Sequence, residues 1–573
     1  MEVKGNPVSP GIAIGEAYIY KPFSPVINKS NIAEPEIAAN LERYNAAKDS
    51  AAAELNDIVT RMEKDDPEKA KIFVAHQDIL SDVALEEEIL DLVNNEHLSA
   101  DYAVFKVYEK FIVMFGELSD EMFRERAADL KDVRNRLLRC WAGIPENNLA
   151  TLDKPYIIVA EDLFPSDTAT LDREKVLAIL TEMGGPTSHS AIIARSYEIP
   201  AVLGVPALIG TIKTGKTIIV DAITGRILLD PSQDEICAYA EKRSDYLTRA
   251  QATKRYLDVK PMTADGVSVE VHLNIGSASD QELSASQYTD GVGLFRTEIF
   301  YMETPQLPTE DAQFDAYKKV LSRYGERPIT LRTLDIGGDK KLDCLELPAE
   351  ENPFLGNRAL RLCFSNPDIF KTQLRAALRA SVYGNLWIML PMVASLDDIR
   401  HAKAYVEEAK AELNAQGIPY NPNYKLGIMV EIPSIALIAD LAAKEVDFAS
   451  IGSNDLCQYM TAVDRLNPVV AKYYQTYHPA MFRLIGYVVE QFKLAGKPVS
   501  ICGEMGGDPL SAAVLVGLGM RKLSMGFASV APIKKMLAGL TIEKAQCLAK
   551  HVVTLPTAAD VESYLREELK DLL

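Results

Sequence analysis

The segment Gly184-Gly185-Pro186-Thr187-Ser188-His189-Ser190-Ala191-Ile192-Ile193-Ala194-Arg195 sets a histidine between a glycine turn and a run of helix-forming residues. It follows an apolar run at 176–180, so the spacing predicts strand, turn and helix, with His189 at the helix N-terminus among hydroxyls. Backbone N–H groups and the helix dipole there favour a bound anion. They disfavour the charged imidazole and so leave a neutral ring nitrogen able to attack phosphorus. The same setting would hold the phosphate once acquired, with Arg195 adding positive charge. A histidine in a glycine-rich turn also serves as a plain helix cap, so the segment by itself lacks a donor.

A second set of reactive residues follows short apolar runs in the C-terminal half. Arg296 lies in Gly-Leu-Phe-Arg-Thr-Glu, and Arg332 precedes Asp335-Ile-Gly-Gly-Asp-Lys340. Glu431 lies in Met-Val-Glu-Ile-Pro-Ser, Asp455 in Gly-Ser-Asn-Asp with Arg465 ten residues beyond, and Cys502 in Cys-Gly-Glu. One charged residue at a strand end is ordinarily a solvated end or a local ion pair. Five strand ends carrying such residues form a set with chemical logic. Arginine forks match phosphate and carboxylate. Two carboxylates plus substrate oxygens are the usual way Mg²⁺ is held, which points to Glu431 and Asp455. Such a site suits a small, doubly anionic substrate whose phosphoryl group departs to an acceptor. Cys502 at the end of a buried strand is ordinarily a small core residue. Facing an anionic site, its thiol can also serve as a proton donor.

The elements that must position these residues follow from texture. Residues 1 to about 20 predict a short β segment. From about 33 to 143 proline and glycine become rare and apolar residues recur at helical spacing, as at Ile72, Phe73, Ala75, Ile79 and Leu80, which predicts a bundle of long helices. Strands are expected at 156–160, 176–180, 217–221 and 226–229, and a charged helix at 231–255. The N-terminal β piece is expected to join these strands, making the bundle an insertion. Beyond that, eight apolar runs near 268–275, 292–295, 329–335, 386–391, 425–431, 447–452, 498–502 and 522–526 alternate with helical stretches. Eight such repeats predict a closed parallel barrel, whose active site lies at the C-terminal strand ends.

Composition sets the outer limits. The chain has 573 residues and a net charge of −20, which disfavours non-specific nucleic-acid binding. No apolar run approaches the ~18 residues that span a bilayer, so membrane insertion is not expected. The start lacks the basic and apolar regions of a signal peptide. Seven scattered cysteines form no CxxC pair, which argues against a disulfide framework and a zinc site and for a reducing, cytoplasmic location.

GGPTSHSAIIARS resembles the phosphohistidine motif of the phosphoenolpyruvate-utilising enzymes, and FASIGSNDLCQYMTAVDR resembles their second signature. GLFRTEIFYM, RTLDIGGDK, NPFLGNRALR, GIMVEIPS and ICGEMGGDP are similar to further blocks in the family's order. SPGIAIGEAY, IFVAHQDIL and ERAADLKDV are similar, more narrowly, to the enzyme I branch of the bacterial phosphotransferase systems, which phosphorylates the small carrier HPr. The resemblance covers essentially the whole chain. It implies a multidomain α/β protein: a phosphohistidine α/β domain (1–20 and 145–230) with an inserted helical HPr-binding bundle (21–144). A helical linker (231–260) and a C-terminal (β/α)8 TIM barrel (261–573) that binds phosphoenolpyruvate and dimerises would follow. His189 would be the phosphorylated residue. Arg296, Arg332, Arg358, Asn454, Asp455 and Arg465 would bind phosphoenolpyruvate, Glu431 and Asp455 would hold Mg²⁺, and Cys502 would protonate the enolate to pyruvate. Asn357 stands where the family carries an aromatic residue, and Ser453 replaces the commoner Thr; neither is one of these groups.

Two relatives by chemistry fit less well. A dikinase would need a nucleotide-binding domain, and the chain has no P-loop. A barrel lyase would use Glu431 and Asp455 but leave residues 1–230 without a role. A non-catalytic sensor of phosphoenolpyruvate would be expected to have lost His189 or Cys502, and both are present.

Overall fold

In the computed structural model, residues 2–19 form three strands: β1 (Glu2–Lys4), β2 (Asn6–Ser9) and β3 (Ile12–Ile19). The structure describes the chain except residues 1, 21–24, 26, 28, 30, 66, 117–120, 145–148, 150–151, 164–170, 172–173, 185–188, 198, 303–305, 339–344, 346–347, 349, 466, 468 and 573. At 61–65, 67–72, 116, 121–125, 128, 189, 192–193, 196, 250, 281 and 471 it describes the main chain alone. Two units separate at Arg249, Met1–Arg249 and Ala250–Leu573.

In the first unit β1–β3 join β4 (Tyr156–Ala160), β5 (Val176–Thr181), β6 (Ala201–Leu203), β7 (Thr217–Asp221) and β8 (Arg226–Leu229) in one sheet, ordered β1-β8-β7-β3-β4-β5-β6-β2. β3 and β4 run parallel, Ala17 opposite Ile157, although 136 residues separate Ile19 from Tyr156. Among the described residues that interval contains five α-helices: α1 (Ile37–Asp65), α2 (Pro67–Leu80), α3 (Val83–Asn94), α4 (Ala100–Gly116) and α5 (Glu121–Trp141). Their apolar stripes meet in a core of their own, with Leu55, Phe73, Ile89, Val104 and Val133 buried in it. The bundle is thus an insertion between neighbouring strands. Strand alternation divides β4 between two cores: Ile158 and Ala160 face one, Ile157 and Val159 the other. The helix His189–Ser196 sends Ala191 and Ala194 into the first of these. The three-residue strand β6 escaped expectation because so short a run carries no readable period.

The helix Gln233–Lys254 leads out of this sheet and is fastened to it by Lys242, whose ammonium lies 2.6 Å from the buried carboxylate of Asp221.

The second unit is the closed barrel. Its strands are β9 (Glu270–Ile275), β10 (Val292–Arg296), β11 (Pro328–Arg332), β12 (Asn385–Leu390), β13 (Lys425–Val430), β14 (Phe448–Ile451), β15 (Val499–Ile501) and β16 (Lys522–Met525), all parallel, with β16 pairing back onto β9. All eight expected runs are strands. Outward residues such as Val271, Leu273 and Ile275 pack under the helices, while Leu294, Trp387, Met389, Met429, Phe448 and Cys502 fill the interior. β11 ends three residues earlier than the apolar run, at Arg332: the Thr333 N–H still donates to the Met389 carbonyl at 2.9 Å, but the Leu334 N–H leaves the ladder for Gln373 Oε1 at 2.8 Å. No helix among the described residues is long and apolar enough to cross a membrane.

Candidate active site

Parallel strands in register bring their last side chains to one level. Arg296 and Arg332 are register partners at the ends of β10 and β11. Arg332 is buried and gives one guanidinium nitrogen to Glu298 and, at 3.0 Å, to Asp335. Its main-chain carbonyl accepts from Thr297 Oγ1 at 2.7 Å, and Thr297 is held in turn by Gln373 at 3.0 Å. Arg358 enters from the loop after β11. Its Nη2 reaches Asp335 at 2.9 Å and Asp455 at 3.8 Å, and its Nη1 donates to the Tyr459 hydroxyl at 3.3 Å. Gly337, at φ 106°, makes this approach possible, since a Cβ there would sit 2.5 Å from the Arg358 Cβ. Asp335 therefore bridges two arginines with its two oxygens. Burial works against both guanidinium charges, but the surrounding carboxylates outweigh it and hold both well above the ordinary arginine value.

The carboxylates sit opposite. Glu431, directly after β13, accepts the Met392 N–H on Oε1 at 2.6 Å; its Oε2 is buried and accepts no hydrogen bond. Met392 has φ 53°, a left-handed conformation that a non-glycine residue adopts only where surroundings fix it. Gly452 is required as well, because a Cβ there would lie 2.8 Å from Glu431 Oε2. Asp455 lies in the first turn of the helix Ser453–Thr461, after β14. Its Oδ1 accepts no hydrogen bond and lies 3.5 Å from Arg465 Nη1. Beside it the Asn454 side-chain oxygen accepts the Glu504 N–H at 3.1 Å. Burial, then the neighbouring charges of Asp455 and Asp335, push the Glu431 carboxyl far above its ordinary value, against the pull of Arg332 and Arg358.

Cys502 follows β15 and turns inward. Its thiol donates weakly to the Ile451 carbonyl at 3.6 Å. Its own carbonyl accepts from Asn274 Nδ2 at 2.8 Å, and Ser524 Oγ donates to Asn274 Oδ1 at 2.6 Å, so two neighbouring strands pin the residue. Burial pushes the thiol up to about 11, with Ser450 and Arg332 pulling the other way. At neutral pH it therefore carries its proton and can act as a donor.

Arg296, Arg332, Arg358, Glu431, Asn454, Asp455, Arg465 and Cys502 all line one cavity of about 580 Å³ at the C-terminal ends of the strands. Among the described residues no three or more His, Cys, Asp or Glu side chains form a metal cage. Glu431 Oε2 and Asp455 Oδ1, neither of which accepts a hydrogen bond, nonetheless suit a hard divalent cation that takes its other ligands from substrate and water. His189 is in the other unit, as the first residue of its helix, and the next residue anchors the turn: Ser190 Oγ donates to Asp162 Oδ1 at 3.1 Å and to the Leu163 carbonyl at 3.2 Å. The His189 side chain and residues 185–188, like Asp339 and Lys340 of the barrel block, lie outside the described residues.

Several supporting residues were not picked out from sequence: Asn274, Glu298, Met392 and Tyr459, and the bridging part played by Asp335. Tyr459 donates to the Phe354 carbonyl at 2.6 Å while accepting from Arg358. Only Asn274 left a trace, as an inward position two residues beyond His272 on β9.

Three family models match the chain. They are the PEP-utilising enzyme N-terminal domain over 4–126, the mobile domain over 152–225 and the PEP-binding domain over 250–542. Among similar curated proteins are the phosphoenolpyruvate-protein phosphotransferases of Geobacillus stearothermophilus, 44% identical over 565 residues, and of Bacillus subtilis (strain 168), 43% identical over 570 residues. These alignments cover 98% and 99% of this chain and 97% and 100% of the relatives. With identity at this level along the full length, and with every barrel residue of the expected site in one cavity, the chain belongs to the PEP-utilising enzymes, in the phosphoenolpyruvate-protein phosphotransferase family.

Proposed function

We propose that the protein transfers the phosphoryl group of phosphoenolpyruvate to His189 and then to the histidine of the carrier HPr, releasing pyruvate and driving sugar uptake. The observation that carries this reading is the cavity: four arginines and three buried carboxylates, Asp335, Glu431 and Asp455, surround it, with a protonated thiol at its floor. Arg296, Arg332, Arg358 and Arg465 neutralise the phosphate and carboxylate of the substrate, and Asn454 helps orient it. A divalent ion held by Glu431 and Asp455, Mg²⁺ in this reading, would draw charge from the same oxygens and assist departure of the enolate. A neutral ring nitrogen of His189 attacks phosphorus in line, the bond between phosphorus and the enol oxygen breaks, and its electron pair stays on that oxygen. Enolpyruvate then takes the Cys502 proton at C3, and the thiolate recovers a proton from solvent.

In the same reading, residues 1–20 and 145–230 carry the phosphohistidine, 21–144 dock HPr, and 231–260 link them to a barrel, 261–573, that also forms a cytoplasmic homodimer. His189 belongs to a different unit from the cavity. Its visit to two partners calls for reorientation about the linker. Labelled phosphoenolpyruvate with Mg²⁺ should leave acid-labile, base-stable label on the wild type, and HPr should discharge it. Absence of label, or full label on His189→Ala, would refute the proposal.

A further inference from the structure

The cavity has two chemically different poles. The charged groups stand at its upper level, while Leu294, Met429 and Cys502 close its inner end beside Asn274, the register partner of Leu294, whose amide is taken up by the Cys502 carbonyl and the Ser524 hydroxyl. Leu294 and Met429 lie two residues before Arg296 and Glu431 on their own strands. Two residues along a strand return the side chain to the same face, roughly 6.6 Å deeper. Both side chains are buried, and the sulfur of Met429 lies 3.7 Å from Arg332 Nη1, so this apolar layer touches the arginine layer directly. Beneath it, Trp387, Met389 and Phe448 fill the barrel. Phe448 occupies space that only a glycine leaves open, since a Cβ on Gly427 would come within 2.5 Å of its ring. Cys502 cannot withdraw, because Asn274, itself held by Ser524, pins its main-chain carbonyl.

Phosphoenolpyruvate has one apolar part, the C3 methylene, and that carbon must face the thiol to be protonated. We infer that Leu294 and Met429 are specificity-determining residues, forming with Cys502 a closed apolar seat for C3 that rejects phosphoenol acids substituted there. This inference rests on the reading of the cavity as a phosphoenolpyruvate site. The discrimination comes from the floor, because the cavity as a whole, about 580 Å³, is far roomier than the substrate.

The test compares kcat/KM for phosphoenolpyruvate and for its 3-methyl analogue, following pyruvate against 2-oxobutyrate. One methylene in an apolar pocket is ordinarily worth about 10- to 200-fold, so the wild type should prefer phosphoenolpyruvate by a ratio in that range. Leu294→Ala and Met429→Ala should each lower that ratio about tenfold by favouring the analogue. Both substrates are measured on one sample, so any loss of folded fraction cancels. Should an alanine variant not fold, Leu294→Val and Met429→Val carry the same test with a smaller shift. Equal use of both substrates by the wild type, or an unmoved ratio in the variants, would overturn the floor. A wild type that phosphoenolpyruvate does not phosphorylate would instead overturn the reading beneath it.

Discussion

The two ends of the barrel's eight strands treat charge in opposite ways. At the N-terminal end, Glu270 on β9 lies 2.9 Å from His272 Nε2 and 2.9 Å from Lys522 Nζ. Lys425 and Lys522 stand 4.6 and 5.0 Å from the centre of the Trp387 ring. Each charge there has a partner, and its energy is spent on holding strands together. At the C-terminal end, Glu431 Oε2 and Asp455 Oδ1 are buried without a hydrogen bond. An uncompensated buried carboxylate destabilises a fold. The strands that begin in paired charges therefore end in a ring whose arginines are paired but which leaves these two carboxylate oxygens without a hydrogen-bond donor. The difference assigns stability to one end and chemistry to the other.

Glu431→Gln should give the largest separation between the two. On the proposed role of Glu431 as a metal ligand, its loss is expected to lower turnover by about 10³-fold, while Tm of the metal-free protein stays level or rises because the unfolded chain no longer gains by ionising a carboxyl that burial keeps protonated. Turnover assays beside calorimetry check this, and a large fall in Tm would mean the carboxylate is structural. Cys502→Ala comes next. Pyruvate formation should slow by about 10²-fold with phosphoenolpyruvate binding retained, as expected for loss of a proton donor. An unchanged rate would return Cys502 to the core.

Acid and alkali should distinguish the ends as well. Burial raises Glu270, but hydrogen bonds from His272 and Lys522 outweigh it and bring the group down to about 2 from 4.5. Its stabilisation is complete above 4.5, its unfolded value, and is lost as pH falls toward 2. Glu431 is raised, so in metal-free protein the folded state keeps a proton that the unfolded chain releases above 4.5, and stability falls as pH climbs from there to the raised value. Denaturation midpoints across pH should show Glu270→Gln flattening the acid limb and Glu431→Gln the alkaline limb. Added Mg²⁺ should restore wild-type stability on the alkaline side only, and the reverse assignment would contradict the division.

The barrel and its mouth were legible because two local rules suffice. Apolar runs at regular spacing become strands, and a parallel barrel gathers whatever follows each strand. Arg296, Arg332, Glu431 and Cys502 could be placed together on that basis, and the family motifs added Arg358 and Asn454. The supporting residues obeyed no local rule. Glu298 meets Arg332 across 34 positions and Met392 meets Glu431 across 39, through pairings fixed only when the barrel closes. The left-handed backbone at Met392 is likewise imposed by tertiary packing, because nothing in a methionine predicts it. The paired charges of the other mouth were illegible too: Lys425, Lys522 and Trp387 come from three strands and meet only in the closed cylinder.

Lys425→Met should have the smallest effect and most directly tests whether that lower mouth is structural alone. Its ammonium sits over Trp387, an interaction worth roughly 0.5–1 kcal/mol at a partly exposed site. Methionine keeps the apolar stem and removes the charge, so the denaturation midpoint should drop by no more than that. Lys522 still flanks the same indole and still pairs with Glu270, which limits the loss further. The kcat and KM for phosphoenolpyruvate should not move. The Trp387 ring does lie against Phe448, 4.7 Å between centres, in the cluster that supports Met429 and Cys502. A shift in KM with stability intact would therefore mean that charge at the lower mouth is felt at the upper one through this packed interior, and the two ends would no longer be separable.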